Sequence, residues 1–168
     1  MNTPKRFIQR KVDVAEADKT RTHGPVADRP HPSGGAVFLA GVAGSGRGDL
    51  GRLAAERLGI PFRSYKEWEA AGRDRAVVAL DDADILREGG PERVRSQGTV
   101  FYLMSGVPAV AERLAQAHPG EDAERLRALA AERFFAAEPV FMGALHFLLQ
   151  GFRPAEEQVR DLLEKLSL

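Results

Sequence analysis

The chain has no cysteine, so disulfides, thiolate nucleophiles and cysteine-ligated zinc are excluded together. It also has no apolar run approaching the roughly 20 residues that a membrane-spanning helix needs. Charge of one sign is missing as well: 24 Lys and Arg balance 24 Asp and Glu. A balanced chain has no general attraction to nucleic acid or to an anionic membrane. The opening stretch "MNTPKRFIQRKVDV" is basic but lacks the apolar core of a secretory signal. These absences lead us to expect a cytoplasmic monomer with neither nucleic acid nor membrane as partner. Its 168 residues suit one domain, and such a chain buries about two thirds of its unfolded surface.

Residues 1–35 stand apart from the rest. They carry seven Lys or Arg against four Asp or Glu, few large apolar side chains, and the breaker-rich end "HGPVADRPHPSGG". Too little apolar surface is present to offset ordering entropy, so a flexible tail is expected. It is read either as a basic arm for a protein partner or as a solvated extension, with Phe7, Ile8, Val12 and Val14 available to dock. Residues 36–168 are expected to form the domain.

From Ala36 onward the pattern is α/β. "AVFLA" is a continuous apolar run of the kind found in strands buried on both faces of a parallel sheet. "DLGRLAAERLG" follows as an amphipathic helix with Gly59 as its stop. "AVVAL", "TVFYLM" and "ALHFLL" (Ala144 to Leu149) are further strand candidates, and "PAVAERLAQA", "DAERLRALAAERFF" and "PAEEQVRDLLEKL" read as helices. Strands separated by helices imply parallel crossovers, hence a three-layer α/β/α sandwich.

Between the first strand and the first helix lies "GVAGSGRGDL". It follows the phosphate-loop pattern G-x-x-x-x-G-K-[ST] from Gly41 to Gly46, with Gly44 and Ser45 inside, but Arg47 stands for the Lys and Gly48 for the Ser or Thr. Backbone N–H groups converging at a helix N-terminus do not depend on side chains, so this frame is expected to cradle phosphate. Arg47 retains the charge in a bulkier planar form. Gly48 removes the hydroxyl that ordinarily holds Mg²⁺. Asp49 adds a negative charge beside the anion site unless it holds the metal itself.

A second candidate is "VVALDDADIL". Its apolar strand ending in Asp81 and Asp82 matches the look of a Mg²⁺-binding strand end. Equally, Asp81, Asp82 and Asp84 can form a polar turn, with Asp84 opening a short helix at Ile85. Of the four histidines, His23 and His31 fall in the tail and His146 reads as a core or sheet-face residue within a strand. His118 is either a phosphate-side residue or a helix C-terminal one favoured by the dipole. Tyr65 and Trp68 read as a short helix capping the open end of the sheet. Phe134, Phe135 and Phe141 read as core or association surface.

Taken in order, these segments resemble the shikimate kinases of the P-loop, nucleoside-monophosphate-kinase-like group. The resemblance covers Ala36 to Leu168. It rests on "GVAGSGRGDLGRLAAERLGIPF", "VVALDDADIL", "GTVFYLMSGVPAVAERL", "AEPVFMGAL" and "RPAEEQVRDLLEKL". It implies ATP or ADP with Mg²⁺ as cofactors. It also implies that the loop Lys corresponds to Arg47 and the metal-binding hydroxyl to Gly48. The family's substrate-gripping acids would fall in "FRSYKE", which has no Asp, and its glycine triplet on Asp81, Asp82 and Ala83. Its lid Arg-Pro becomes His118-Pro119 and its substrate Arg becomes Ala137. Only sixteen positions separate Tyr65 from Asp81, where the family inserts a substrate-binding subdomain. The substrate and lid regions are therefore expected to be shortened.

Three readings follow from the sequence. One is a degenerate shikimate-kinase-like protein that binds nucleotide or phosphate as a regulatory or interaction module. The second is an active small-molecule kinase or NTPase using Arg47 and Asp81, and the third is a structural domain whose loop binds nothing.

Overall fold

The computed structural model describes residues 35–168; residues 1–34 of the expected tail, with Phe7, Ile8, Val12, Val14, His23 and His31, lie outside them. The apolar run Ala36–Ala40 forms β1, buried along its whole length. Alternate residues of a strand face opposite sides: Phe38 and Ala40 join one apolar cluster, Val37 and Leu39 the other. After the glycine-rich turn comes α1 (Arg47–Leu58), closed by Gly59 in the left-handed conformation (φ 66°). There follow β2 (Phe62–Ser64), α2 (Tyr65–Ala70), β3 (Val77–Leu80), α3 (Asp82–Arg87), α4 (Pro91–Gln97) and β4 (Gly98–Met104). The chain ends with α5 (Val107–Ala117), α6 (Ala123–Ala144), β5 (Phe147–Gln150) and α7 (Ala155–Leu166).

The five strands lie in the order β2-β3-β1-β4-β5, and every pairing is parallel. One face carries α2 to α6, through Trp68, Ile85, Val94, Leu114 and Phe141. The other carries α1 and α7, through Leu50, Ala54, Val159 and Leu162. This is the three-layer α/β/α sandwich expected from the alternation of elements.

Several local expectations need correction. The final strand starts at Phe147 rather than Ala144, because α6 runs for 22 residues through Pro139 and ends at Ala144. Pro139 donates no N–H to the carbonyl of Phe135, but both residues are exposed, where water can take the missing partner's place. His146 is buried just before β5, not within it. Its N–H donates to the Val100 carbonyl (2.8 Å) and its Nδ1 accepts from the Val100 N–H (3.0 Å). Of the aromatic run, Phe141 is core, Phe134 packs against it, and Phe135 is exposed.

The short segment between β2 and β3 does not cap the end of the sheet; it packs onto the sheet face. Ser64 and Glu67 form a capping box that starts α2. Tyr65 and Trp68 are then buried, and Trp68 meets Phe38 edge-on at 5.1 Å. The indole N–H donates to the Asp74 carbonyl at 2.7 Å. Glu88, at the end of α3, ties the segment down. It accepts from the Tyr65 hydroxyl, from Arg73 Nη2 (3.0 Å) and from Gln97 Nε2 (2.9 Å). Arg73 and Arg87 lie over the Trp68 and Tyr65 rings at 5.4 and 5.0 Å, adding cation–π attraction.

Two predictions follow. Glu88→Ala leaves the Tyr65 hydroxyl and two charged or polar donors without their acceptor, so it should lower stability by about 2–3 kcal/mol in urea unfolding. Tyr102, buried on β4 with Glu138 nearby, has its phenol pushed up to about 12, against about 10 when unfolded. The raised folded value means stability is fully present below about pH 10 and is lost as pH climbs toward about 12. Tyr102→Phe should remove half of the tyrosinate absorbance change, the half that in the wild-type chain develops toward about pH 12 for Tyr102.

Candidate active site

β1 and β3 end level with each other, Ala40 beside Leu80, so the residues that follow emerge side by side. Gly41 N–H donates to the Leu80 carbonyl at 3.2 Å. A Cβ at Gly41 would fall 2.6 Å from the Ser45 hydroxyl and 3.2 Å from its Cβ, so a larger residue there requires Ser45 to move. Gly44 (φ 84°) and Gly46 (φ 90°) are left-handed and flank the buried Ser45. Such alternation of backbone hand forms a concavity lined by N–H groups, of which that of Ser45 is already donated to the Val42 carbonyl (3.0 Å). The concavity opens onto the N-terminus of the 12-residue α1, where the helix dipole favours an anion.

Loop side chains take distinct positions. The Ser45 carbonyl accepts from the Ser105 hydroxyl (2.8 Å), and Arg113 Nη1 reaches from α5 to the Gly44 carbonyl (3.1 Å). Arg47 opens α1, and its Nη1 is buried without a hydrogen-bond partner. Burial lowers the guanidinium's pKa, while the nearby carboxylates of Asp81, Asp84 and Asp82 pull it back up. Gly48 has open space around it, since an added Cβ would meet only Arg52 Nη1 at 3.7 Å. Packing therefore does not forbid a hydroxyl-bearing residue there. Asp49 turns to solvent and pairs with Arg52 at 3.2 Å.

At the end of β3, Asp81 is the N-cap of α3; the structure assigns Asp81 the capping role expected of Asp84. Asp81 Oδ1 accepts from the Asp84 N–H (2.7 Å), and Asp84 Oδ2 accepts from the Asp81 N–H (3.1 Å). Burial, with the Asp81 carboxylate adding to it, pushes the Asp84 carboxyl above the usual range.

A cavity of about 420 Å³ joins these parts. Val42, Ala43 and Arg47 line it from the loop, Asp81 and Asp82 from the β3 end, and Leu129, Glu132, Arg133 and Ala136 from α6. The structure thus unites Arg47, Asp81 and Asp82, with Gly41, Gly44, Ser45, Gly46 and Gly48 in the adjoining turn. It does not bring in Asp49 or His118, which is exposed at the C-cap of α5. The α6 stripe was missed by the sequence reading, although its i, i+3, i+4, i+7 spacing marks one helical face. Arg113 likewise left no signal beyond its place on an amphipathic helix. Among the described residues no group of three or more His, Asp or Glu converges as a ready metal cage.

The cap can be separated from the charge. Asp81→Ala should cost about 1 kcal/mol through loss of the cap, whereas Asp81→Asn, which keeps an acceptor, should be near neutral in urea unfolding.

No protein-family model matches the chain. Curated relatives do. The chain is 29% identical over 151 residues to the shikimate kinase of Paracidovorax citrulli, covering 67% of this chain and 80% of that one. It is 28% identical over 170 residues to the shikimate kinase of Symbiobacterium thermophilum, covering 78% and 95%. Among solved structures, the shikimate kinase of Acinetobacter baumannii in complex with shikimate superposes with a TM-score of 0.66 at 17% identity, over 79% of this chain and 93% of that one. A gluconokinase of Sinorhizobium meliloti gives 0.54 at 21% identity, over 80% and 93%. In sequence the chain is similar to shikimate kinases, and in fold it matches their parallel-sheet α/β architecture.

Proposed function

We propose that the loop binds the phosphates of ATP or ADP, and that the protein acts as a nucleotide- or phosphate-binding regulatory or interaction module without shikimate kinase activity. The observation that carries the binding half is the left-handed Gly44–Gly46 frame at the start of α1, with Arg47 beside it holding an unpartnered buried Nη1. Backbone donors, helix dipole and guanidinium all favour an anion there. Two features support the absence of shikimate phosphorylation. The position matching the family's substrate Arg is Ala137, packed in the core at 1% exposure. Tyr65 and Trp68, in the segment where the resemblance would place the family's substrate subdomain, pack on the sheet. Phosphoryl transfer depends on positioning and charge neutralisation, and both are thinned by these replacements.

A second reading, an active small-molecule kinase, is favoured by Asp82. It lines the cavity beside Arg47, and its side chain forms no hydrogen bond among the described residues. Mg²⁺ is commonly held by one or two carboxylates together with substrate phosphates. Asp82, with the free oxygen of Asp81, fits that role despite Gly48. Bound there, the metal would supply neutralisation of phosphate charge.

Calorimetric titration with ATP and ADP, with and without Mg²⁺, tests both. We expect binding that Arg47→Ala weakens by about tenfold, the worth of a charged hydrogen bond; unchanged affinity would place the nucleotide elsewhere. Mg²⁺-enhanced ATP binding that Asp82→Asn abolishes would bring the second reading forward. The double variant Arg47→Lys, Gly48→Ser should still form no shikimate 3-phosphate, and its detection would overturn the first.

A further inference from the structure

Helix α6 is apolar on two opposite sides, and the described residues cover only one of them. Ala130, Ala137, Phe141 and Ala144 join the core, each at most 1% exposed. Two residues before each of these stand Ala128, Phe135, Pro139 and Met142, all exposed. At about 100° per residue, that offset places them about 200° around the helix, in one stripe on its outer side. Phe135 is 71% exposed and Met142 55%. A helix with apolar residues all round is ordinarily covered all round, and a contiguous exposed apolar patch marks an interaction surface. Beside the large residues of the stripe the helix carries Glu132 and Glu138. Neither side chain forms an ion pair or hydrogen bond among the described residues. Arg133 lies about 160° from Phe135, on the cavity side.

We propose that residues 5–14 of the same chain are the occupant of this stripe. They read "KRFIQRKVDV": Phe7, Ile8, Val12 and Val14 are apolar, and Lys5, Arg6, Arg10 and Lys11 bracket Phe7 and Ile8, with no acid before Asp13. Seven cations against four anions give residues 1–35 a net +3, and the remaining 17 against 20 give residues 36–168 a net −3. The basic segment complements a stripe flanked by Glu132 and Glu138. A second copy of α6 would instead bring the same two carboxylates against one another, which like charge opposes. Exposed ion pairs add little affinity, so apolar contacts hold the segment and the charges set which segment is held. The start of β1 is also within reach of the stripe. β1 begins at Ala36 opposite Gly98, and His146, two residues beyond α6, bonds to Val100 of the same strand β4. The last turn of α6, with Met142, therefore lies at the end of the sheet where β1 starts. Between Val14 and Ala36 stand 21 residues. A flexible chain of that length spans about 25 Å, against about 21 Å from Ala128 to Met142 along the helix. Such a tether raises the local concentration of the segment to about the millimolar range, so a modest contact suffices. The inference is independent of what the cavity binds.

The test uses the full chain. Because it has no cysteine of its own, Ala128→Cys gives a single thiol on which to fix a nitroxide. In a nitrogen-15-labelled sample the amide signals of residues 5–14 should broaden more than those of residues 20–30, and reducing the nitroxide should restore them. The double variant Phe7→Ser, Ile8→Ser should remove the broadening, and so should Phe135→Arg, with circular dichroism confirming that both are folded. Without the label, trypsin should cut after Lys5, Arg6, Arg10 and Lys11 about tenfold more slowly in the wild-type chain than in either variant, since cleavage tracks the undocked population. Mixing nitroxide-bearing chain with separate nitrogen-15 chain should give no broadening. Broadening in that mixture would mean docking on a second copy and would overturn the assignment to the same chain. Even broadening along residues 5–30, broadening that survives Phe7→Ser, Ile8→Ser, or equal tryptic rates in wild type and variants would each overturn the proposal and leave the stripe to a separate partner.

Discussion

The parallel pairing of β1 with β3, Val37 beside Val77 through Ala40 beside Leu80, is the constraint on which the rest of the site depends. Because the two strands end in register, the glycine turn after Ala40 and the acidic turn after Leu80 leave the sheet at the same height. A shift of one residue would turn every side chain of β1 to the opposite face and would part Gly41 from the Leu80 carbonyl. The pairing tolerates no such slip, because β1 is buried on both sides and Phe38 and Leu39 each fill a different core. β4 on the other flank brings Ser105 to the Ser45 carbonyl, so the loop is held from both neighbouring strands.

That arrangement creates an electrostatic contest. The N-terminus of α1 and the loop's backbone donors favour an anion. The β3 end delivers carboxylates to the same place. Arg47 lies between them, desolvated, with its charge favoured by Asp81, Asp84 and Asp82. Those carboxylates help to hold the guanidinium charged, and they also oppose any anion that approaches it. A phosphate wins only if the backbone donors and Arg47 together exceed that repulsion. A ligand with one negative charge and several donors meets less of it. Asp81 has a further duty, because its carboxylate starts α3, so its chemistry and the local fold are linked.

The shortened stretch between β2 and β3 shows how a sheet face is closed with few residues. Tyr65 and Trp68 supply the apolar mass, and Glu88 gathers the Tyr65 hydroxyl, Arg73 and Gln97 Nε2 into one polar knot. A buried carboxylate is costly when alone and acceptable when fully bonded. The knot contributes no residue to the cavity, which the loop, the β3 end and α6 line.

The sequence by itself determined the layer architecture, because β1, β3 and β4 are unbroken apolar runs that need cover on both faces, and amphipathic helices separate them. It also marked the loop by its glycine spacing, and it placed Asp81 and Asp82 at a strand end. It misjudged the boundary at Ala144, since helix and strand patterns overlap in a short apolar run, and Ala144 is the last residue of α6. It gave the cap to Asp84, whereas the backbone leaves β3 so that Asp81 caps α3. Tertiary structure alone decided that Arg133, Glu132 and Leu129 share a cavity with Arg47, while Ala137 is core and His118 and Asp49 face away. The reason is distance along the chain. Periodicity fixes which residues share a helix face, but the sheet register and the crossing of α6 over it set what that face meets.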